Sequence, residues 1–239
     1  MNARHAFLVT CEHGGNRVPP RYRDCFAGHE ALLESHRGYD PGALAIARDL
    51  ARALHAPLIY ATTSRLLVDL NRTLGHPRLH SDIIRTLPEP IRCEILDRYY
   101  LPFRRRAEAL IEAEVAAGRS VIHVSSHSFT PVLDGVVRQA DVGLLYDPAR
   151  GGEQSLCAEW LARLRARAPS LRVRRNYPYT GKSDGFTAYL RRCFGPEGYV
   201  GIELEINQRF VRPVQPGWHA LRADIVAALQ DALGRIAVR

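Results

Sequence analysis

Apolar runs of strand length and stretches with helical spacing alternate from one end of the chain to the other. The run at 6–11 predicts a buried strand. Residues 40–55 carry helical spacing, with Asp40 placed to act as N-cap and Pro41 suited to the first helical position. Two strand-like runs follow at 58–61 and 65–70, and 90–117 reads as one or two helices broken near Pro102. Strands are predicted at 120–125, 142–146, 171–175 and 199–206, and helices at 153–167, from Gly185 to about Cys193, and at 217–236. Such alternation predicts an α/β fold with a central mixed, mostly parallel sheet flanked by helices. No repeat, low-complexity segment or linker interrupts it, so residues 1–239 read as one domain.

In open α/β sheets, ligands gather beyond the carboxyl ends of strands. Four predicted strands run out into polar residues: Glu12-His13-Gly14-Gly15-Asn16, Asp69-Leu70-Asn71-Arg72, Ser126-His127-Ser128-Phe129, and the set Glu203, Glu205 and Asn207. Burying these groups costs free energy unless they pair or bind something, so four such ends suggest a shared site. His13 and His127 are candidate metal ligands, because imidazole suits zinc and a catalytic zinc keeps three protein ligands and an open position. Hydrogen-bonded histidines at strand ends are the alternative. Glu205 is a candidate general base. Glu203, two residues away, shares its sheet face, and pattern alone does not choose between them. Arg72 could clamp a substrate carboxylate or pair with Asp69. Cys11, expected on the same side of its strand as His13, is a conceivable nucleophile, with a buried inert thiol as the preferred reading. His123 lies deeper in the strand of His127 and reads as core. The polar, turn-rich segment 175–185 reads as a binding loop or lid, or as a plain surface loop. GxxxxGK[ST], GxGxxG and GxSxG are absent, which argues against a nucleotide fold and a serine hydrolase.

Composition changes this picture little. A chain of 239 residues, 46% hydrophobic and 24% charged, is ordinary for a globular protein, not for a disordered, collagen-like or disulfide-stapled one. No apolar run predicts a membrane span, and the first residues lack signal-peptide features. Cysteines 11, 25, 93, 157 and 193 are scattered and odd in number, which predicts reduced thiols and a cytoplasmic protein. The net charge of +8 is carried by arginine, since Lys182 is the only lysine. The arginines are interleaved with acids, and no nucleic-acid-binding motif appears. A small anionic substrate fits the same charge. Oligomeric state is left open.

Seven segments together resemble the N-formylglutamate amidohydrolase family: CEHGGNRVP (11–19), YDPGA (39–43), SRLLVDLNR (64–72), HVSSHSFTP (123–131), GLLYDP (143–148), RRNYPYTGKSDG (174–185) and LEINQ (204–208). A more distant likeness links the chain to zinc carboxypeptidases and aspartoacylase-like deacylases, which carry an HxxE motif, a DLNR motif, a strand ending in HS and a late catalytic Glu. The resemblance implies a phosphorylase/hydrolase-like α/β domain of the zinc-carboxypeptidase kind. It implies His13 and His127 as Zn2+ ligands and Glu205 as base and then acid. It also implies Asn71 and Arg72 as the grip on a substrate carboxylate, helped by Arg175 and Lys182 of the 174–185 loop. The slot of the second carboxypeptidase ligand holds Asn16, a poor zinc ligand. The third ligand is then expected to be Asp40, with Glu12 as the weaker candidate. The reaction implied is release of formate and L-glutamate from N-formyl-L-glutamate, late in histidine breakdown. The alternatives are a zinc carboxypeptidase or amidase on another N-acyl amino acid or a cell-wall peptide, a non-catalytic ligand-binding homologue, and a thiol amidase using Cys11.

Overall fold

The computed structural model describes residues 5–211 and 214–236. Six strands form one sheet: β1 (His5–Cys11), β2 (Leu58–Tyr60), β3 (Ser120–Phe129), β6 (Val142–Leu145), β7 (Val173–Arg175) and β8 (Tyr199–Asn207). Their order is β2-β1-β3-β8-β6-β7. The first four are parallel, β6 runs antiparallel to β8, and β7 is parallel to β6. A small hairpin of β4 (Val132–Leu133) and β5 (Val136–Val137) stands apart. Asp134 and Gly135, both at positive φ, form its turn, an Asp-Gly signal of the hairpin kind that the sequence reading passed over.

Among the described residues there are eight α-helices: α1 (Glu30–Glu34), α2 (Ala43–Leu54), α3 (Asp82–Arg85), α4 (Glu89–Ile95), α5 (Leu101–Ala116), α6 (Gly151–Arg167), α7 (Phe186–Cys193) and α8 (Trp218–Ile236). Helices α2, α6 and α8 cover one sheet face, while α5, α7 and the chain between β2 and α5 cover the other. Strand alternation divides the core accordingly. Val9 and Cys11 point into the α2 side, and Leu8 points into the α5 side. On α2 the buried positions Ala43, Ile46, Ala47, Leu50 and Leu54 repeat at helical spacing. Each large buried apolar side chain of this kind contributes roughly 1.5–3 kcal/mol.

Three expectations are corrected. Residues 65–70 are not a strand: Leu67 N donates to the Ser64 carbonyl, Asp69 N to Leu79 and Arg72 N to Asp69, so the run folds as linked turns. Its leucines are buried all the same, which is why the apolar pattern looked like a strand. The helix near Pro102 does not break. A π-helical turn at Leu96–Tyr100 joins α4 to α5, a wider turn that accommodates the missing proline N–H and the crowding of its ring. Finally, α2 starts at Ala43 with Gly42 as its N-cap, not Asp40. Gly42 has φ +82°, and a Cβ there would come within 2.8 Å of Val211. This turn frees the Asp40 carboxylate from capping.

Candidate active site

Strand alternation stops at Cys11, where the chain turns through Glu12 and His13. Gly14 and Gly15 let that turn lie flat on its neighbour, since Cβ atoms there would come within 2.9 Å of the Ala61 carbonyl and 2.8 Å of the Thr62 carbonyl. The Asp40 amide donates to the His13 carbonyl at 2.9 Å, docking the segment before α2 onto the same turn. His127 arrives from β3, directly opposite Glu205 of β8. These residues meet at the carboxyl ends of β1, β3 and β8, on the α5 and α7 side of the sheet.

The geometry is that of a three-point cluster. Asp40 Oδ2 lies 3.3 Å from His13 Nδ1 and 2.9 Å from His127 Nδ1. One donor atom from each residue lies within 4.8 Å of the others, and all three residues are buried. The outward nitrogens are also held. His13 Nε2 is 2.7 Å from Asp69 Oδ1, and His127 Nε2 is 3.1 Å from Glu12 Oε2 and 2.9 Å from Ser125 Oγ. Arg65 closes the ring, with Nη2 at 2.6 Å from Asp69 Oδ2 and Nη1 at 3.4 Å from Asp40 Oδ1.

Electrostatics follow from this network. Burial opposes charge on Asp40, but His13, His127 and Arg65 outweigh it and hold the carboxyl well below the usual range. Burial likewise opposes the Glu12 carboxylate, and its bond to His127 prevails, giving about 2. Arg65 and His13 overcome burial to keep Asp69 ionised. Burial disfavours the His127 imidazolium, yet Asp40 and Glu12 raise it well above an ordinary histidine. Carboxylates that accept the Nε2 protons leave both Nδ1 lone pairs facing a carboxylate oxygen. That convergence is repulsive unless a cation or proton sits between them, and two imidazoles plus one carboxylate form a divalent-metal donor set with a position left open. The residues present therefore fit a metal ion. Among the described residues this is the one group of three or more such ligands gathered so closely.

Glu205 is buried beside this cluster, and its Oε2 has no hydrogen-bond partner. Burial, reinforced by Asp40 and Glu203, pushes it up to about 8. Glu203 differs, because its Oε1 accepts from Thr187 Oγ1 at 2.5 Å. Environment thus separates two carboxylates that the sequence pattern left equal. A cavity of about 490 Å3 opens over His13, Asp40, His127 and Glu205, and Asn71, Arg72, Arg65 and Tyr179 also line it. Asn71 Oδ1 accepts from the Phe186 amide at 2.6 Å. Arg72 Nη1 donates to the Asp184 carbonyl at 2.7 Å, while its buried Nε makes no hydrogen bond and lies 3.9 Å from Asp69 Oδ2, the ion pair that is the alternative to a substrate clamp.

Other expected residues stand elsewhere. Arg175 follows Val173 by two residues on an edge strand, so it projects on the α6 side, in a groove with Leu161 and Arg165. Lys182 is 63% exposed and points to Asp147 at 3.8 Å, outside the cavity lining. Asn16 bonds Glu34 at the surface, and Glu12 backs His127 from behind. Cys11 does not share a side with His13. It is packed in the α2-side core, where burial raises its thiol well above the usual value, a poor setting for a nucleophile. His123 is core, bonded to Thr10 Oγ1 and the Tyr199 hydroxyl. The 174–185 loop is anchored rather than loose: Asn176 Oδ1 accepts from the Tyr146 and Gly181 amides, and buried Arg191 donates to the Gly181 carbonyl. Sequence reading missed Arg65, Tyr179 and the link from Asp69 to His13. The four-residue spacing of Arg65 and Asp69 was the available signal.

Both the fold and the sequence have known counterparts. A crystal structure of a gene product of Agrobacterium tumefaciens shares 33% identity with a TM-score of 0.81, covering 96% of this chain and 91% of that one. The crystal structure of N-formylglutamate amidohydrolase from Ralstonia eutropha has the same fold at 19% identity, with a TM-score of 0.65 over 99% of this chain and 95% of that one. A search of curated proteins finds no match. No helix among the described residues is long and apolar enough to cross a membrane. The sequence model for N-formylglutamate amidohydrolase matches residues 5–212, and the chain belongs to that family.

Proposed function

We propose that this chain hydrolyses the linear amide of N-acyl amino acids, with conversion of N-formyl-L-glutamate to formate and L-glutamate as its principal reaction. The observation that carries the reading is the partnerless carboxyl oxygen of Glu205, buried in the cavity beside the His13–Asp40–His127 cluster. That cluster would hold a zinc ion, which when bound supplies Lewis acidity toward a carbonyl and acidifies water. Glu205 takes the proton of the attacking water on Oε2 and delivers it to the departing nitrogen. A carboxyl poised near neutrality serves as base and then as acid. Arg72 offers its guanidinium, and Asn71 its amide, to a substrate carboxylate. Arg65 is already engaged by Asp40 and Asp69, so its role is to keep those carboxylates charged. Asp69 and Glu12 fix the imidazole orientations.

One observation favours a second reading, an amidase on a larger N-acyl amino acid or peptide: the cavity mouth extends past Arg72 to Arg37, Arg78 and Arg85. The test is metal content by elemental analysis together with a formate-release assay on N-formyl-L-glutamate, before and after chelation. The expected result is about one zinc per chain and chelator-sensitive formate release that Glu205→Gln loses by roughly two to four orders of magnitude. Metal content should stay at the wild-type level in that variant. Zinc without formate release directs attention to a panel of larger N-acyl substrates. Neither metal nor turnover after adding zinc defeats the hydrolase reading.

A further inference from the structure

Arg104 lies on α5, away from the cavity lining, and is only 3% exposed. It makes no ion pair among the described residues. Its guanidinium carbon sits 4.3 Å from the ring centres of both Phe186 and Tyr189 and 5.1 Å from that of Tyr100. Its Nη1 donates to the Leu70 carbonyl at 3.1 Å and reaches the Arg72 carbonyl at 3.4 Å. The Tyr100 hydroxyl, carried there by the π-helical turn, donates to the same Arg72 carbonyl at 2.7 Å. A buried cation without a counter-charge in contact loses its hydration at a large cost. Apolar filling would avoid that cost but would leave the Leu70 carbonyl without this donor and the Arg72 carbonyl with Tyr100 alone. The aromatic faces and carbonyl oxygens offset the cost, and what they gain is a fixed backbone on either side of Asn71 and Arg72. The other side of the same loop is held too: Asn71 by the Phe186 amide, Arg72 by the Asp184 carbonyl and Thr73 by the Asp184 carboxylate.

We propose that Arg104, together with Tyr100, is a positioning residue for substrate binding, holding the Leu70 and Arg72 carbonyls so that Arg72 presents its guanidinium edge to the cavity. The identity of the bound group, a substrate carboxylate, rests on the function proposed above. The clamp acts on the grip and not on the metal cluster or Glu205. Arg104→Met is therefore expected to raise KM for N-formyl-L-glutamate about tenfold or more, with kcat and zinc content near wild type. Arg104→Lys, which restores a donor but not the fork, falls between. Tyr100→Phe removes one hydroxyl while keeping the ring, so it remains informative if Arg104→Met fails to fold, and a KM increase of several-fold is expected. An unchanged KM in Tyr100→Phe, or a joint fall of kcat and metal content in the variants, overturns the proposal. If the wild type releases no formate, the functional reading fails and the clamp is judged by hydrogen exchange at the Asn71, Arg72 and Thr73 amides. Faster exchange in Tyr100→Phe supports it, and unchanged exchange defeats it.

Discussion

Where the second ring nitrogen goes distinguishes His13 and His127 from His123. In His123 both nitrogens meet hydroxyls, those of Thr10 and Tyr199, and nothing is left to bind. In His13 and His127 the Nε2 side meets Asp69 and Glu12, so the basic Nδ1 is turned toward Asp40. A carboxylate behind a ligating imidazole fixes the tautomer and strengthens the donor, and its loss typically weakens metal affinity about 10–100-fold. Asp69→Asn is expected to weaken zinc binding by that factor, read by competition with a chromophoric chelator. Unaltered affinity would mean that Asp69 serves Arg65 alone.

At the scale of elements, β3 carries both kinds of histidine on one face, four residues apart. The inner one brings a pH liability. Burial drives His123 down to about 4 from the ordinary 6.5. Between those values the unfolded chain binds a proton that the folded chain refuses. The stability from keeping His123 neutral is thus complete above about pH 6.5 and is lost as pH falls toward about 4. His123→Gln should melt below wild type at about pH 7.5, and the gap should narrow at about pH 5. A gap that stays constant would show that protonation of His123 is not coupled to unfolding. Elements were legible where one period dominated, as in α2, α8, β1 and β8. They were not where burial came without regular backbone pairing. Leu66, Leu67, Val68 and Leu70 are all buried, yet turns made by Ser64, Asp69 and Leu79 satisfy their segment locally, and an apolar run does not encode that distinction. Pro102 marked an irregularity close to its place, but the chain resolved it by widening the turn at Leu96–Tyr100.

Over the whole molecule, residues from positions 13, 40 and 127 meet because two crossovers, β1 to β2 and β2 to β3, return the chain to one end of the sheet. The rule that sites lie at strand ends made this meeting legible for His13, His127 and Glu205 as neighbours. It could not place Arg175, whose side of the sheet depends on the register of an edge strand, Val142 against Val173. Because the donors converge only in the folded chain, a bound ion stabilises the fold by mass action, about 2.7 kcal/mol at a hundredfold excess over Kd. For a domain of this size that amounts to a rise in Tm of about 5–10 °C. Chelation should lower the melting temperature by that amount, with recovery on adding zinc. Asp40→Ala should remove the difference, and a chelation effect that persists in that variant would place the metal elsewhere.

The pairing of His127 with Glu205 across β3 and β8 has a consequence for length. Side chains alternate faces residue by residue, so one residue inserted or deleted ahead of either position within its strand would swing that group beneath α2 and α8. The sheet could survive such an edit better than the chemistry would. Insertions are tolerable in the connections between strands, while β3 and β8 must keep both their length and their phase.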